Sequence, residues 1–171
     1  NWDKPEPLRE ERIEDWRKAK EIADQENIFL FLAVLGLVEC AIEAMGFQSW
    51  SINIHRNEDY VRNFFAYNKY FIEELCKALA DEGCEMVSFG DDSAWKGGPM
   101  IPPAFHKKLV IPLYKDIVNG IHKSGIKVLW HSDGNVWDLL PGIVDAGFDA
   151  YHPCEEPAGM DLKEVKDRFA D

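Results

Sequence analysis

Residues 126–135 read IKVLWHSDGN, a mostly apolar run that leads directly into a group of polar side chains. The run over residues 126–130 is typical of a buried strand. Because successive side chains of a strand point to opposite faces, we expect His131 and Asp133 to point the same way and Ser132 to point the other way. The stretch therefore predicts a strand that delivers an imidazole and a carboxylate to one side at its C-terminal end.

The residues that follow predict how this strand continues. Gly134 supplies a turn, and Asn135 is a suitable N-cap for a helix over residues 136–146. A buried strand with reactive groups at its C-terminal end, followed by a helix, is how an α/β barrel builds a site.

The rest of the chain alternates similar apolar runs with stretches of helical periodicity. Residues 28–36 (IFLFLAVLG) are continuously apolar, as expected of a strand buried on both faces of a parallel sheet; a buried helix is the alternative there. The predicted strands are residues 28–36, 84–89, 126–131 and 148–152, and the predicted helices are residues 7–27, 38–45, 58–81, two stretches that meet at Pro112, 136–146 and one that begins at Asp161. This alternation predicts right-handed βαβ units and a parallel sheet, so the expected fold class is α/β with about four β/α units.

The charge balance narrows the classes of partner. The 171 residues include 31 acids and 19 bases, which gives a net charge of −12. Such a chain repels the phosphates of nucleic acids and of anionic membranes, so neither is an expected partner. The longest apolar run, residues 28–38, is shorter than the roughly 20 residues that a membrane-spanning helix needs, and the sequence has no signal-peptide pattern. We expect a cytoplasmic protein whose four widely spaced cysteines are reduced thiols.

Candidate ligand groups follow all four predicted strands, at the ends that share one edge of a parallel sheet. They are Glu39, Asp91, Asp92, His131, Asp133, Cys154, Glu155 and Glu156. His131 and Asp133 form the most metal-like pair, because imidazole and carboxylate both suit zinc or another divalent ion. Cys154 or Glu155 is expected to supply a third ligand. The alternative is a histidine hydrogen-bonded to an aspartate without a metal.

The adjacent carboxylates Asp91 and Asp92 have several possible roles. They could bind a metal, a cationic substrate or the N–H groups of a ligand, and one of them could act as an acid if its pKa is raised; a helix cap or a solvated turn is the alternative. We expect His55, His106 and His122 on the surface, and His152 is a weaker site candidate than His131. The sequence has no nucleophile elbow and no dinucleotide fingerprint.

Several of these motifs, taken in order along the chain, resemble the uroporphyrinogen decarboxylase superfamily, which also contains cobalamin-dependent methyltransferases. The resemblance covers about residues 58–169. It rests on residues 90–105 (GDDSAWKGGPMIPPAF), Pro112, residues 131–135 (HSDGN), residues 147–149 (GFD), Glu155 and Glu156, residues 159–161 (GMD), and Lys163 or Lys166.

This resemblance implies a (β/α)₈ barrel whose members are roughly twice as long as this chain, so these residues would form a partial TIM barrel. It also implies a metal-assisted methyltransferase that acts with a corrinoid protein or a small methylated substrate. Zinc methyltransferases of this group carry a His-x-Cys pair where this chain has His131-x-Asp133, which makes the expected site richer in oxygen. The implied roles are catalysis by Asp91, Asp92 and His131, substrate binding by Glu39, Glu155 and Glu156, and metal binding by His131, Asp133 and Cys154.

Two other functions remain open within the same superfamily. One is uroporphyrinogen decarboxylation in porphyrin biosynthesis, whose N-terminal active-site arginines have no clear counterpart here, since Arg9, Arg12 and Arg17 lie in a helical context of mixed charge. The other is a barrel that binds a corrinoid or a porphyrin without catalysis.

The chain is expected to be a piece of a longer protein, because it begins at Asn1 and stops at Asp171 while a helix is under way. We expect residues 1–171 to form a single domain, a fragment of such a barrel. Half a barrel leaves two open sheet edges, and open edges favour a homodimer or another association through them.

Overall fold

The computed structural model of the protein describes residues 10–169, so the first residues of the predicted helix 7–27 lie outside the described part. The strands are β1 (Leu32–Leu35), β2 (Met86–Gly90), β3 (Ala94–Trp95), β4 (Gly98–Pro99), β5 (Lys127–His131) and β6 (Ala150–His152). The α-helices are α1 (Glu10–Gln25), α2 (Leu37–Met45), α3 (Phe47–Arg56), α4 (Glu58–Ala80), α5 (Pro103–Phe105), α6 (Ile111–Lys123), α7 (Leu140–Ala146) and α8 (Leu162–Phe169). A π-helical turn, His106–Val110, joins α5 to α6, and a 3₁₀ turn, Glu156–Ala158, precedes α8.

Four strands form one parallel sheet in the order β1-β2-β5-β6. β3 and β4 form a separate two-stranded antiparallel hairpin just after β2. The helices that connect the four strands give the alternation expected from the sequence, and the arrangement is that of a partial (β/α)₈ barrel. No helix among residues 10–169 is both long and apolar enough to cross a membrane.

One face of the sheet packs against the helices. Val87 and Phe89 of β2, and Val128 and Trp130 of β5, are fully buried, and the Phe89 ring contacts Tyr114 of α6 with 5.6 Å between ring centroids. The side chains that alternate with them along the same two strands are less buried. His131 belongs to this second set, so it points away from the helix-packed face of the sheet.

The first strand differs from its prediction. β1 is shorter than residues 28–36, and it alternates half-buried and exposed side chains instead of being buried on both faces. Phe29, Phe31 and Leu35 are 57%, 48% and 46% exposed. The physical reason is position. Among residues 10–169, β1 is an edge strand with β2 as its one neighbour, and an apolar run is buried only where other elements cover it.

Two helix boundaries also differ from the sequence-based expectation. α3 was not foreseen; it begins right after Gly46, whose φ of +79° lets the chain turn out of α2. Asn135 does not start a long helix. Its Oδ1 accepts a hydrogen bond from Trp137 N at 3.4 Å, which closes a local turn, and α7 begins only at Leu140, with Pro141 in its first turn.

Candidate metal centre

Three neighbouring strand ends meet at the candidate site. Gly90 of β2 lies beside His131 of β5, and His131 lies beside His152 of β6. Beyond these positions the ladder continues for one residue, since Asp91 N donates to His131 O at 2.8 Å and Ser132 N donates to His152 O at 3.1 Å. These two hydrogen bonds therefore fix the backbone just beyond the ends of the strands, where the polar side chains of the candidate site begin.

Asp92, His131 and Asp133 offer three ligand atoms that all lie within 4.8 Å of one another. His131 Nε2 is 3.6 Å from Asp92 Oδ1 and 4.0 Å from Asp133 Oδ1. Both separations are longer than a hydrogen bond, and they are near the spacing of about 3.4 Å between donors of a tetrahedral ion bound at about 2.1 Å. The donor chemistry, one imidazole nitrogen and two carboxylates, fits a divalent cation. The expected common direction of His131 and Asp133 is confirmed.

Asp92 is held in place by two backbone contacts. Its Oδ1 accepts a hydrogen bond from Asp133 N at 2.9 Å, and its own N–H donates to Glu39 Oε2 at 3.2 Å. Glu39, at the start of α2, therefore reaches the site through the backbone of Asp92. These contacts tie the ends of β1, β2 and β5 together around the three ligand atoms.

Asp133 is held by the turn that follows it. Gly134 N donates to Glu155 Oε2 at 2.7 Å, and Asn135 N donates to Trp95 O at 3.0 Å. Gly134 has φ +84°, and a Cβ on it would lie 2.7 Å from the Trp95 backbone. Only glycine fits a turn that combines this conformation with such a close approach. The indole of Trp95 is 62% exposed beside this turn.

Asp91 does not belong to the group of ligand atoms that Asp92, His131 and Asp133 form. It is fully buried, and it accepts hydrogen bonds from Leu37 N at 3.0 Å, from Glu39 N at 2.7 Å and from the Tyr114 hydroxyl. Burial raises the pKa of Asp91 to about 7, against the opposing effect of the Tyr114 hydrogen bond and of the backbone donors. Asp91 thus caps the first turn of α2 across the sheet, which matches the helix-cap alternative and places it apart from solvent.

Two other candidates also lie apart from the three ligand atoms. Cys154, expected as a metal ligand, borders an apolar cavity of about 520 Å³ between α7, β6 and α8. Burial, and then the charge of Asp161, raises the pKa of its thiol, which disfavours the thiolate that binds metals. Glu156 is exposed in the 3₁₀ turn. The chain leaves the direction of β6 after His152, and for this reason strand alternation did not predict where these side chains lie.

His152 and His106 differ from what the sequence predicted, whereas the direction predicted for Ser132 is confirmed. His152 Nδ1 lies 2.8 Å from His131 Nδ1, a contact that follows from strand register. Ser132, on the opposite face from His131, is fully buried, and its Oγ accepts a hydrogen bond from Ser93 N at 3.0 Å. His106, expected at the surface, is 1% exposed in the π-helical turn. The sequence did not predict this burial, because His106 follows the Pro102-Pro103 pair, which indicated a loop and not the start of a helix.

Residues 2–168 match the family described as uroporphyrinogen decarboxylase (URO-D), and the chain belongs to this family. Among solved structures, it is similar to a methyltransferase from Methanosarcina mazei, with a TM-score of 0.72 and 15% sequence identity. That similarity covers 88% of this chain and 43% of the other, so the chain spans less than half the length of this neighbour. A comparison with curated proteins finds no match.

Proposed function

We propose that this chain carries the metal centre of a methyltransferase of the uroporphyrinogen decarboxylase family, which acts with a corrinoid protein or a small methylated substrate. The observation that carries the proposal is the convergence of Asp92, His131 and Asp133 ligand atoms within 4.8 Å at the C-terminal edge of a parallel sheet, where barrels of this kind build their sites. The fold of the Methanosarcina mazei methyltransferase supports the same reading.

The donor set suits a divalent cation, zinc or a harder ion. When bound, such a cation supplies Lewis acidity, which favours the deprotonated form of a thiol or of water that reaches it. The oxygen-rich set shifts the preference away from the soft, thiolate-bound zinc of the His-x-Cys pattern and toward ions that accept carboxylates.

The residues of this site have two kinds of role, as ligands and as positioning groups. Asp92 and Asp133 supply negative charge that offsets the charge of a cation, and His131 supplies a neutral nitrogen. Glu39 and Glu155 position the two aspartates by accepting N–H bonds at 3.2 and 2.7 Å from Asp92 and from Gly134. Asp91 holds the first turn of α2 through Leu37 N and Glu39 N, so we reassign it from catalysis to structural support.

Decarboxylation is the rival function that the family description suggests. In the described part of the chain, the arginines of the first helix are engaged away from the metal centre. Arg17 pairs with Glu82 with 2.5 Å between Nη2 and Oε1, and the guanidinium of Arg12 lies 5.4 Å from the centroid of the Phe71 ring. Because Arg12 and Arg17 have these partners, neither guanidinium lies where it would bind the carboxylates of a porphyrinogen at the metal centre.

Metal analysis tests the proposal directly. The chain is loaded separately with Zn²⁺ and Co²⁺, dialysed and assayed by elemental analysis and by competition with a chromophoric chelator. We expect about one ion per chain, and an affinity at least about tenfold lower in His131→Ala and in Asp133→Asn. Asp116→Asn, an exposed carboxylate on α6, is the matched control and should bind like the parent. Absence of bound metal in the parent, or equal binding in all variants, refutes the metal centre.

Activity assays separate the three functions. Metal-loaded protein is incubated with methylcobalamin and a thiol, and in parallel with uroporphyrinogen. Formation of the thioether, lost in His131→Ala, supports the methyltransferase. Release of carbon dioxide from uroporphyrinogen supports the decarboxylase instead, and tight binding of a corrinoid with neither reaction supports a non-catalytic barrel.

A further inference from the structure

His131 and His152 stand side by side at the ends of β5 and β6. Their Nδ1 atoms are 2.8 Å apart, and the rings lie nearly edge to edge, with 5.1 Å between centroids and 24° between planes. His152 is the more exposed of the two. Parallel register sets the two residues opposite each other.

This contact constrains where the protons lie. Two Nδ1 atoms at hydrogen-bond distance share one proton, since one atom must donate and the other must accept. If His131 Nδ1 carries the proton, the lone pair of His131 lies on Nε2, and Nε2 is the atom that faces Asp92 and Asp133 at 3.6 and 4.0 Å. If His152 carries it, His131 has its proton on Nε2 and cannot bind a cation there.

We infer that His152 is a positioning residue that accepts the Nδ1 proton of His131 and so presents the Nε2 lone pair of His131 to a divalent cation. The inference rests on the proposed metal centre and adds the residue that sets its tautomer. Histidine ligands commonly donate their second N–H to an acceptor that fixes both tautomer and ring orientation. In this chain the acceptor is a second imidazole.

The geometry argues for a supporting role of His152 over a ligand role. The ligand atoms that cluster within 4.8 Å are those of Asp92, His131 and Asp133. The Nδ1 atom of His152 contacts Nδ1 of His131, and this hydrogen bond between nearly coplanar rings holds the imidazole of His131 in one orientation. Removing His152 therefore leaves all three ligands in place while it removes the acceptor that selects the binding tautomer.

Two substitutions separate these roles. His152→Ala removes the acceptor, and His152→Asn keeps an acceptor oxygen near the position of Nδ1. Co²⁺ is the probe, followed by its visible absorption and by chelator competition, and far-UV circular dichroism checks folding. We expect Co²⁺ affinity to fall 10–100-fold in His152→Ala and to recover to within about threefold of the parent in His152→Asn, with an unchanged absorption band. His55→Ala, an exposed histidine on α3, is the matched control.

Long-range ¹H–¹⁵N NMR of the Zn²⁺-loaded parent reports the tautomer itself. At about pH 8, where an ordinary imidazole is neutral, we expect His131 to carry its proton on Nδ1 and His152 to carry its own on Nε2.

Each result decides between the possibilities. Equal Co²⁺ affinity in the parent and in His152→Ala, or a zinc-loaded His131 protonated on Nε2, overturns the inference and leaves the metal centre standing. A changed absorption band with loss of affinity in both variants makes His152 a ligand and also overturns it. If the parent binds no Co²⁺ or Zn²⁺, the proposed function itself fails.

Discussion

The amino and carboxyl edges of the parallel sheet differ in whether their carboxylates are paired with cationic side chains. At the amino edge, Asp149 accepts hydrogen bonds from Lys127 at 2.7 Å and from Val128 N at 2.8 Å, and it lies 2.8 Å from His122. Burial alone would raise the pKa of Asp149, but these partners more than offset it, so that its pKa is lowered. This carboxylate is satisfied within the fold.

At the carboxyl edge, four carboxylates gather without such cations. Glu39, Asp92, Asp133 and Glu155 lie around His131, and no lysine or arginine among residues 10–169 forms an ion pair with any of them. An uncompensated negative field at the mouth of a site attracts a cation, and the comparison shows that the fold pairs the carboxylate at the amino edge with cations but leaves those at the carboxyl edge without them.

Removing Asp91 should have the largest effect, because this carboxylate is the internal anchor of the carboxyl edge. In Asp91→Ala, the buried donors Leu37 N and Tyr114 hydroxyl and the partly buried Glu39 N lose their acceptor, at about 1–3 kcal/mol each, and we expect the free energy of unfolding to fall by about 5 kcal/mol. Asp149→Ala, the matched change at the amino edge, breaks partly exposed pairs and should cost about 1 kcal/mol. Urea unfolding measures both. Equal losses would mean that the two edges do not differ in the way described.

A second pair of substitutions compares the turns at the two ends of β5. Gly125 and Gly134 have φ of +80° and +84°, but a Cβ on Gly125 meets nothing within 4 Å, whereas one on Gly134 lies 2.7 Å from the Trp95 backbone. We expect Gly125→Ala to cost about 1 kcal/mol for the left-handed conformation and Gly134→Ala to cost about 4 kcal/mol, because overpacking adds to that strain. Thermal unfolding compares the two variants. If they melt alike, the turn after Asp133 is looser than the structure indicates.

A third prediction uses pH to test whether the acid sensitivity of the fold lies at the amino edge or within the helices. Burial lowers the pKa of His106 to about 4, so the unfolded chain takes up a proton at about pH 6.5 whereas the folded chain does not until about pH 4. The contribution of His106 to stability is then lost as the pH falls from about 6.5 to about 4, by up to about 3 kcal/mol. The raised pKa of Asp91, about 7, acts in the opposite direction over the same range, because the folded carboxyl binds a proton that the unfolded one does not. The lowered pKa of Asp149 acts in a separate window, since its contribution is lost only below about pH 4.

Urea unfolding at several pH values distinguishes these sources. Relative to the parent, His106→Leu should gain up to about 3 kcal/mol of stability as the pH falls from 6.5 to 4, and it should also remove a buried Nε2 that has no hydrogen-bond partner among the described residues. The exposed variant His55→Leu should keep the pH profile of the parent. If His106→Leu also keeps that profile, His106 does not contribute to the acid sensitivity.

Much of the fold could be predicted from local pattern. The helix over residues 58–81 is observed as α4 (Glu58–Ala80), and Asp161 caps α8, since its Oδ1 accepts a hydrogen bond from Glu164 N at 2.7 Å. Repeated apolar spacing and capping residues act within a few turns of chain, so a sequence displays them directly. The exposure of β1 could not be foreseen in the same way, because it depends on what lies beside an edge strand.

Strand alternation along β2 distinguishes the roles of Asp91 and Asp92. Val87 and Phe89 are apolar and alternate along β2, so Asp91, two residues further on, continues the helix-packed face, and Asp92 follows Gly90 on the other face. Strand alternation thus assigns Asp91 to support and Asp92 to the site.

The sequence alone determined the parallel α/β fold, the family, and the common direction of His131 and Asp133, because these depend on local patterns and on their order along the chain. Tertiary structure decided that Asp92 completes the group, that Cys154 borders a cavity elsewhere, and that His152 lies against His131. These outcomes depend on register between strands and on the path of the chain after each strand. Contacts between distant segments set both, and no local pattern encodes those contacts.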